Sequence, residues 1–114
     1  MKLFAGIDGG QTATKAAIVD EDGMILGRGV AGPADHVDEP RALERLQEAV
    51  SGALRSALVE AGHDPSVRLT KVVAGITGFG VDTQAISAVV NAESLKVVHD
   101  APIALAAALD LHPG

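Results

Sequence analysis

The sequence predicts an α/β domain on a mixed five-stranded sheet, with elements in the order β-β-β-α-β-α-β-α. Three observations predict it. Short β-type runs over residues 2–31 return on one another through glycine turns, a long stretch then carries apolar residues at helical spacing, and two later aliphatic runs each lead into a helix signal. The apolar content of 47% is almost wholly aliphatic, with no Trp or Tyr and with Phe4 and Phe79 as the two phenylalanines. Ala, Val, Leu and Ile must therefore fill the core, as in sheets covered by helices. At 114 residues the chain makes one domain with a modest core.

The first strand is expected at about Lys2–Ile7 and the second at about Thr14–Asp20, joined through Gly9-Gly10. Asp22-Gly23 then makes a tight turn into a third strand, Met24–Ala31, whose glycines weaken it and suit an edge position. A loop through Gly32-Pro33-Ala34-Asp35-His36-Val37 leads to Pro40, placed near the first turn of a helix that runs to Ala61 and stops at Gly62. Leu43, Leu46, Val50, Ala53, Leu54, Ala57, Leu58 and Ala61 form its apolar face, opposite Arg41, Glu44, Arg45 and Glu48. After the Asp64-Pro65 turn, Lys71–Gly78 reads as a strand buried on both faces. Asp82 then caps a short helix through about Ala92, Leu95–His99 forms a fifth strand, and Asp100-Ala101-Pro102 opens a helix of about Ile103–Leu111. Because helices return the chain, the last two strands lie parallel to the first.

A formal charge of −6, with no basic run and no aromatic ladder, argues against a nucleic-acid partner. There is no cysteine, hence no disulfide frame, thiolate nucleophile or iron–sulfur ligand in these residues. The opening apolar run reaches Asp8 too soon for a signal peptide or a membrane span, so the cytoplasm is the expected compartment. His36, His63, His99 and His112 show no metal-ligand spacing.

The chemistry concentrates in the turn after the first strand, Asp8-Gly9-Gly10-Gln11-Thr12, and in Lys15 beyond it. Two adjacent glycines let backbone N–H groups approach an anion closely, because no Cβ intervenes. Thr12 adds a hydroxyl donor and Lys15 a positive charge. Asp8 is placed to hold a divalent metal, Mg2+ in a phosphate site, through water. Gly6, Asp8 and Gln11 break a dinucleotide G-x-G-x-x-G, and no G-x-x-x-x-G-K-[ST] occurs.

Strand, Asp-Gly-Gly-x-Thr, strand, then Asp20-Glu21-Asp22-Gly23 and a third strand resembles the first phosphate motif of the sugar kinase/heat-shock cognate/actin superfamily. Within it the sequence is similar to the BadF/BadG/BcrA/BcrD ATPase group, which includes N-acetylglucosamine and glucosamine kinases and the ATPases that activate radical dehydratases and benzoyl-CoA reductase. The resemblance implies a ribonuclease H-like (actin-like) sheet of order 3-2-1-4-5. It also implies ATP and Mg2+ as ligands and a sugar as phosphoryl acceptor. The chain then corresponds to the N-terminal lobe of a larger two-lobe enzyme, inactive alone, whose C-terminal half supplies the second phosphate loop and the adenosine site. Apolar area left by the missing half would invite self-association into a homodimer.

The same resemblance assigns further residues. Lys15 falls where the related ATPases carry a phosphate-contacting lysine. Asp35-His36 falls where the sugar kinases resemble Gly-Pro-x-Asn-His, and there the Asn contacts the sugar. Asp35 has no amide donor to offer an N-acetyl group, so an amino-sugar ammonium or another polyol suits it better. Thr77-Gly78 ends a buried strand at the edge where open α/β sheets bind ligands. Asp100 is both an N-cap and, by the resemblance, the carboxylate facing the substrate hydroxyl. The roles are compatible, since a helix N-terminus keeps a carboxylate ionised. An ATP-dependent sugar kinase is the leading reading. An ATPase that activates a redox enzyme and a non-catalytic nucleotide-binding assembly domain are the alternatives.

Overall fold

The computed structural model describes residues 2–10, 13–32, 42–76 and 83–98. Five strands and two helices follow one another as β1 (Phe4–Gly9), β2 (Thr14–Val19), β3 (Ile25–Ala31), α1 (Ala42–Glu60), β4 (Leu69–Ile76), α2 (Thr83–Ser87) and β5 (Ala92–Val98). The strands make one sheet of order β3-β2-β1-β4-β5, the order the resemblance implies. The pairs β1–β2 and β2–β3 are antiparallel, and β1–β4 and β4–β5 are parallel.

The β2–β3 connection shows how short polar residues fix a register. Asp20 Oδ1 accepts hydrogen bonds from the Asp22 and Met24 amides at 2.9 and 3.0 Å, while Gly23 takes the positive φ of 82° that the turn requires. β3 leaves this turn as an edge strand, as its glycines suggest, and its Arg28 amide donates to Glu60 Oε1 of α1 at 3.2 Å. The glycines also do something that an edge position does not require. A Cβ added to Gly29 would stand 2.5 Å from the Ala57 amide nitrogen and closer still to the Ala53 carbonyl oxygen, and one on Gly27 would stand 2.6 Å from the Ala61 nitrogen. Bare backbone in β3 therefore lets the helix backbone sit directly on the strand.

α1 turns Leu46, Ala49, Val50, Ala53, Leu54, Ala57 and Leu58 into the core, where they meet Ala5, Ile7, Ala16, Ile18, Val72, Ala74 and Ile76 from one face of the sheet. Glu44, Arg45, Glu48 and Arg55 stay in water. The helix stops in a Schellman arrangement: the His63 amide donates to the Leu58 carbonyl at 2.9 Å, the Gly62 amide to Val59 at 3.0 Å, and Gly62 has φ 82°. Asp64 then folds the chain back, its Oδ1 accepting from the Ser66 hydroxyl at 2.6 Å and the Ser66 amide at 2.8 Å. These bonds hold the Asp64 carboxyl below the usual carboxylate range. Their contribution is present above the ordinary carboxylate pKa and is lost as pH falls through the lowered one.

The boundaries of β1, β4, α2 and β5 differ from the sequence reading by two residues or more. β1 begins at Phe4 and continues through Gly9, because Asp8 and Gly9 still find ladder partners on both sides, Lys15 and Thr14 in β2 and Gly75 and Ile76 in β4. β4 spans Leu69–Ile76, with Thr77 and Gly78 outside the described residues. The helix expected to reach Ala92 is the single turn α2, and Ala92 instead opens β5. β-branched Val89 and Val90 favour extended backbone. Asn91 has already joined the sheet, its carbonyl accepting from the Leu69 amide at 2.9 Å and its side chain bridging Ser66 and Arg68.

Candidate nucleotide-phosphate site

Strand register brings the site together. β1 and β2 alternate faces, so Ala5 and Ile7 pair with Ile18 and Ala16 beneath α1, whereas Asp8 pairs with Lys15 on the other face. One row across that face reads Val30, Lys15, Asp8, Gly75 and Val98, from β3 to β5. Lys15 is exposed and Asp8 half-buried. Opposite charges directly across a ladder attract, yet neither side chain takes a hydrogen-bond or ion-pair partner among the described residues. Gly75 flanks Asp8 on its other side and Gly6 precedes it on the same face, so the carboxylate stands on bare backbone. Gly9 and Gly10 follow at the C-terminal end of β1, and the Gly10 amide donates to the Ala13 carbonyl at 3.1 Å across the turn.

This donor set suits a phosphate bound with a divalent cation. Lys15 offers positive charge, the glycine backbone allows close approach of oxygen atoms, and Asp8 offers a carboxylate to the hydration shell of a metal. Among the described residues no three His, Cys, Asp or Glu side chains converge, so a cation here would rest on Asp8, water and the phosphates themselves. A cleft of about 300 Å³ lined by Arg55, Leu58, Asp64 and Leu69 lies at the opposite end of the sheet, where β4 begins, and shares no residue with this row.

Of the residues singled out from the sequence, Asp8, Gly9, Gly10 and Lys15 come together. Gln11, Thr12, Asp35, His36, Thr77, Gly78 and Asp100 lie outside the described residues. Two residues beside the cradle escaped sequence reasoning. Gly75 carried a signal, since a lone glycine in an aliphatic strand marks a close backbone approach. Thr14 carried one too, being the polar residue in an inward-facing series with Ala16 and Ile18.

A mixed sheet of order 3-2-1-4-5, with an antiparallel first hairpin and parallel later strands, defines the class: the ribonuclease H-like, actin-like fold. The chain belongs to the BadF/BadG/BcrA/BcrD ATPase family, whose model matches residues 5–110. In fold it is similar to a candidate N-acetylglucosamine kinase from Chromobacterium violaceum, with a TM-score of 0.67 and 20% identity over 86% of this chain and 35% of that one. It is also similar to a ROK family glucokinase from Streptomyces griseus, solved with glucose and AMPPNP, with a TM-score of 0.56 and 24% identity over 84% of this chain and 32% of that one. A ROK hexokinase from Thermus thermophilus matches with a TM-score of 0.54 and 20% identity over 83% and 35%. The chain thus spans about a third of the length of these structures. No helix among the described residues is long and apolar enough to cross a membrane.

Proposed function

We propose that the chain is the N-terminal lobe of an ATP-dependent sugar kinase of the N-acetylglucosamine/glucosamine kinase kind, moving the γ-phosphate of ATP to a sugar hydroxyl. The observation that carries this reading is the row Lys15–Asp8–Gly75 at the end of β1, beside Gly9 and Gly10, in a chain of an ATPase family. The sugar kinases of the same fold support the choice of acceptor. In this reading the amides of the glycine turn and Lys15 hold the phosphates, and a second lobe supplies the remaining contacts. Magnesium, when bound, neutralises phosphate charge, and Asp8 orients its water shell. Phosphoryl transfer needs positioning and charge compensation more than covalent help, which is what these groups supply. Asp100 takes the proton of the sugar hydroxyl as its oxygen bonds to the γ-phosphorus and ADP departs. Asp35 and His36 contact the sugar, with Asp35 favouring an ammonium or hydroxyl over an acetamide, and Thr77-Gly78 borders the same pocket.

The test is ADP release by the intact protein with Mg-ATP and either glucosamine or N-acetylglucosamine. Sugar-dependent release, faster with glucosamine, is the expected result. Hydrolysis that appears only with a protein partner would move the reading to the activator ATPases, and nucleotide-dependent assembly without turnover on any sugar would make this an actin-like assembly domain.

A further inference from the structure

Thr14 is fully buried, and among the described residues its Oγ1 is the buried side-chain polar atom without a hydrogen-bond partner. It sits one residue from Lys15, at the last rung of the hairpin ladder, opposite Gly9 in β1 and Ala31 in β3, with Ile76 beyond Gly9. Its row across the sheet is therefore glycine and hydrocarbon. A hydroxyl buried in that setting destabilises the fold unless it is bonded, and such an orphan in a folded chain calls for a reason. Valine has the same shape, packs equally well in a strand and carries no such penalty, so the sequence holds a polar atom where hydrocarbon would be more stable.

We propose that Thr14 is a positioning residue for the phosphate cradle, its hydroxyl gaining a hydrogen-bond partner from the Gly9-Gly10 backbone when that backbone takes up a phosphate. This rests on the nucleotide-binding reading above. When the glycine amides turn toward phosphate oxygens, the backbone opposite Thr14 reorients, and a carbonyl or amide of that strand is then offered to the Thr14 hydroxyl. The penalty carried by the empty lobe is relieved in the loaded one. An interaction present in one state and absent in the other is what adds to affinity. Because Thr14 points to the α1 side while Asp8 and Lys15 point to the other, its contact is with the cradle and not with the nucleotide.

The experiment compares the intact parent protein with Thr14→Val and Thr14→Ser, by thermal melting without nucleotide and by calorimetric titration with Mg-ATP. Thr14→Val is expected to melt at or above the parent temperature while binding Mg-ATP about tenfold more weakly, the size of one hydrogen bond. Thr14→Ser is expected to bind like the parent. A Thr14→Val protein that melts well below the parent would show the hydroxyl already bonded in the empty lobe, and one that binds with parental affinity would show it irrelevant to the cradle; either overturns the proposal. So would a serine variant as weak as the valine one, since shape and not the hydroxyl would then matter. A parent that melts cooperatively but takes no Mg-ATP would instead overturn the nucleotide reading on which the proposal rests.

Discussion

Gly29→Ala is expected to cost about 3 kcal/mol of folding stability, the upper end of what overpacking usually costs, against a total of about 5–15 kcal/mol for a domain of this kind. The new methyl group would meet the Ala53 carbonyl oxygen, the Ala57 amide nitrogen and, at 2.8 Å, Ser56 Cβ. None of these is the end of a flexible side chain. Two are helix backbone, so relief requires that α1 lift from β3 along its length, which would also strip Ala53 and Ala57 from the core they now fill. Gly32→Ala is the control: nothing lies within 4 Å of its added Cβ, and the change should stay within about 0.5 kcal/mol. Urea denaturation of both variants measures the difference, and equal midpoints would show that the helix does not dock on bare backbone.

Asp100→Asn is the second large effect. If Asp100 is the general base, the substitution removes proton acceptance while keeping the size and shape of the side chain, so sugar-dependent turnover should fall by about 10²–10⁴ with the fold retained. Nucleotide affinity should barely move, since the proposed nucleotide contacts come from the hairpin and a second lobe. Steady-state ADP release, with melting as the check on folding, separates a loss of chemistry from a loss of structure. A variant of normal rate would show that Asp100 is not the general base.

The turns and the helix stop were legible in the sequence because each rests on local chemistry, whereas the sheet order came through the family resemblance. Gly23 permits the turn, Gly62 ends the helix, and Asp8-Gly9-Gly10 announces itself by composition. What escaped depends on register between distant strands. That Asp8 belongs to the ladder and stands next to Gly75 follows from β1–β4 pairing across a long helical crossover, and no local pattern states where that pairing ends. The glycines of β3 read locally as weak strand residues, and their use became apparent with α1 lying over them. Ala92 was misassigned because Ala85, Ile86, Val89 and Val90 also fit a helical period. The Leu69 amide bonded to the Asn91 carbonyl decides the competition, and it is a long-range contact. Thr14 had the right period and the wrong polarity for its row, a conflict of the kind expected at functional positions.

The central claim, that the Asp8 end of β1 binds Mg-nucleotide, is tested most directly by titrating Mg-ATP into the intact parent and into Asp8→Asn in a calorimeter. The Asp8 side chain is half-buried and makes no hydrogen bond among the described residues, so the variant should fold with parental stability to within about 0.5 kcal/mol. Its affinity should fall by about tenfold to a hundredfold, the worth of a charged hydrogen-bonding group. Equal affinity in the two proteins, both folded, would contradict the account and place the nucleotide elsewhere.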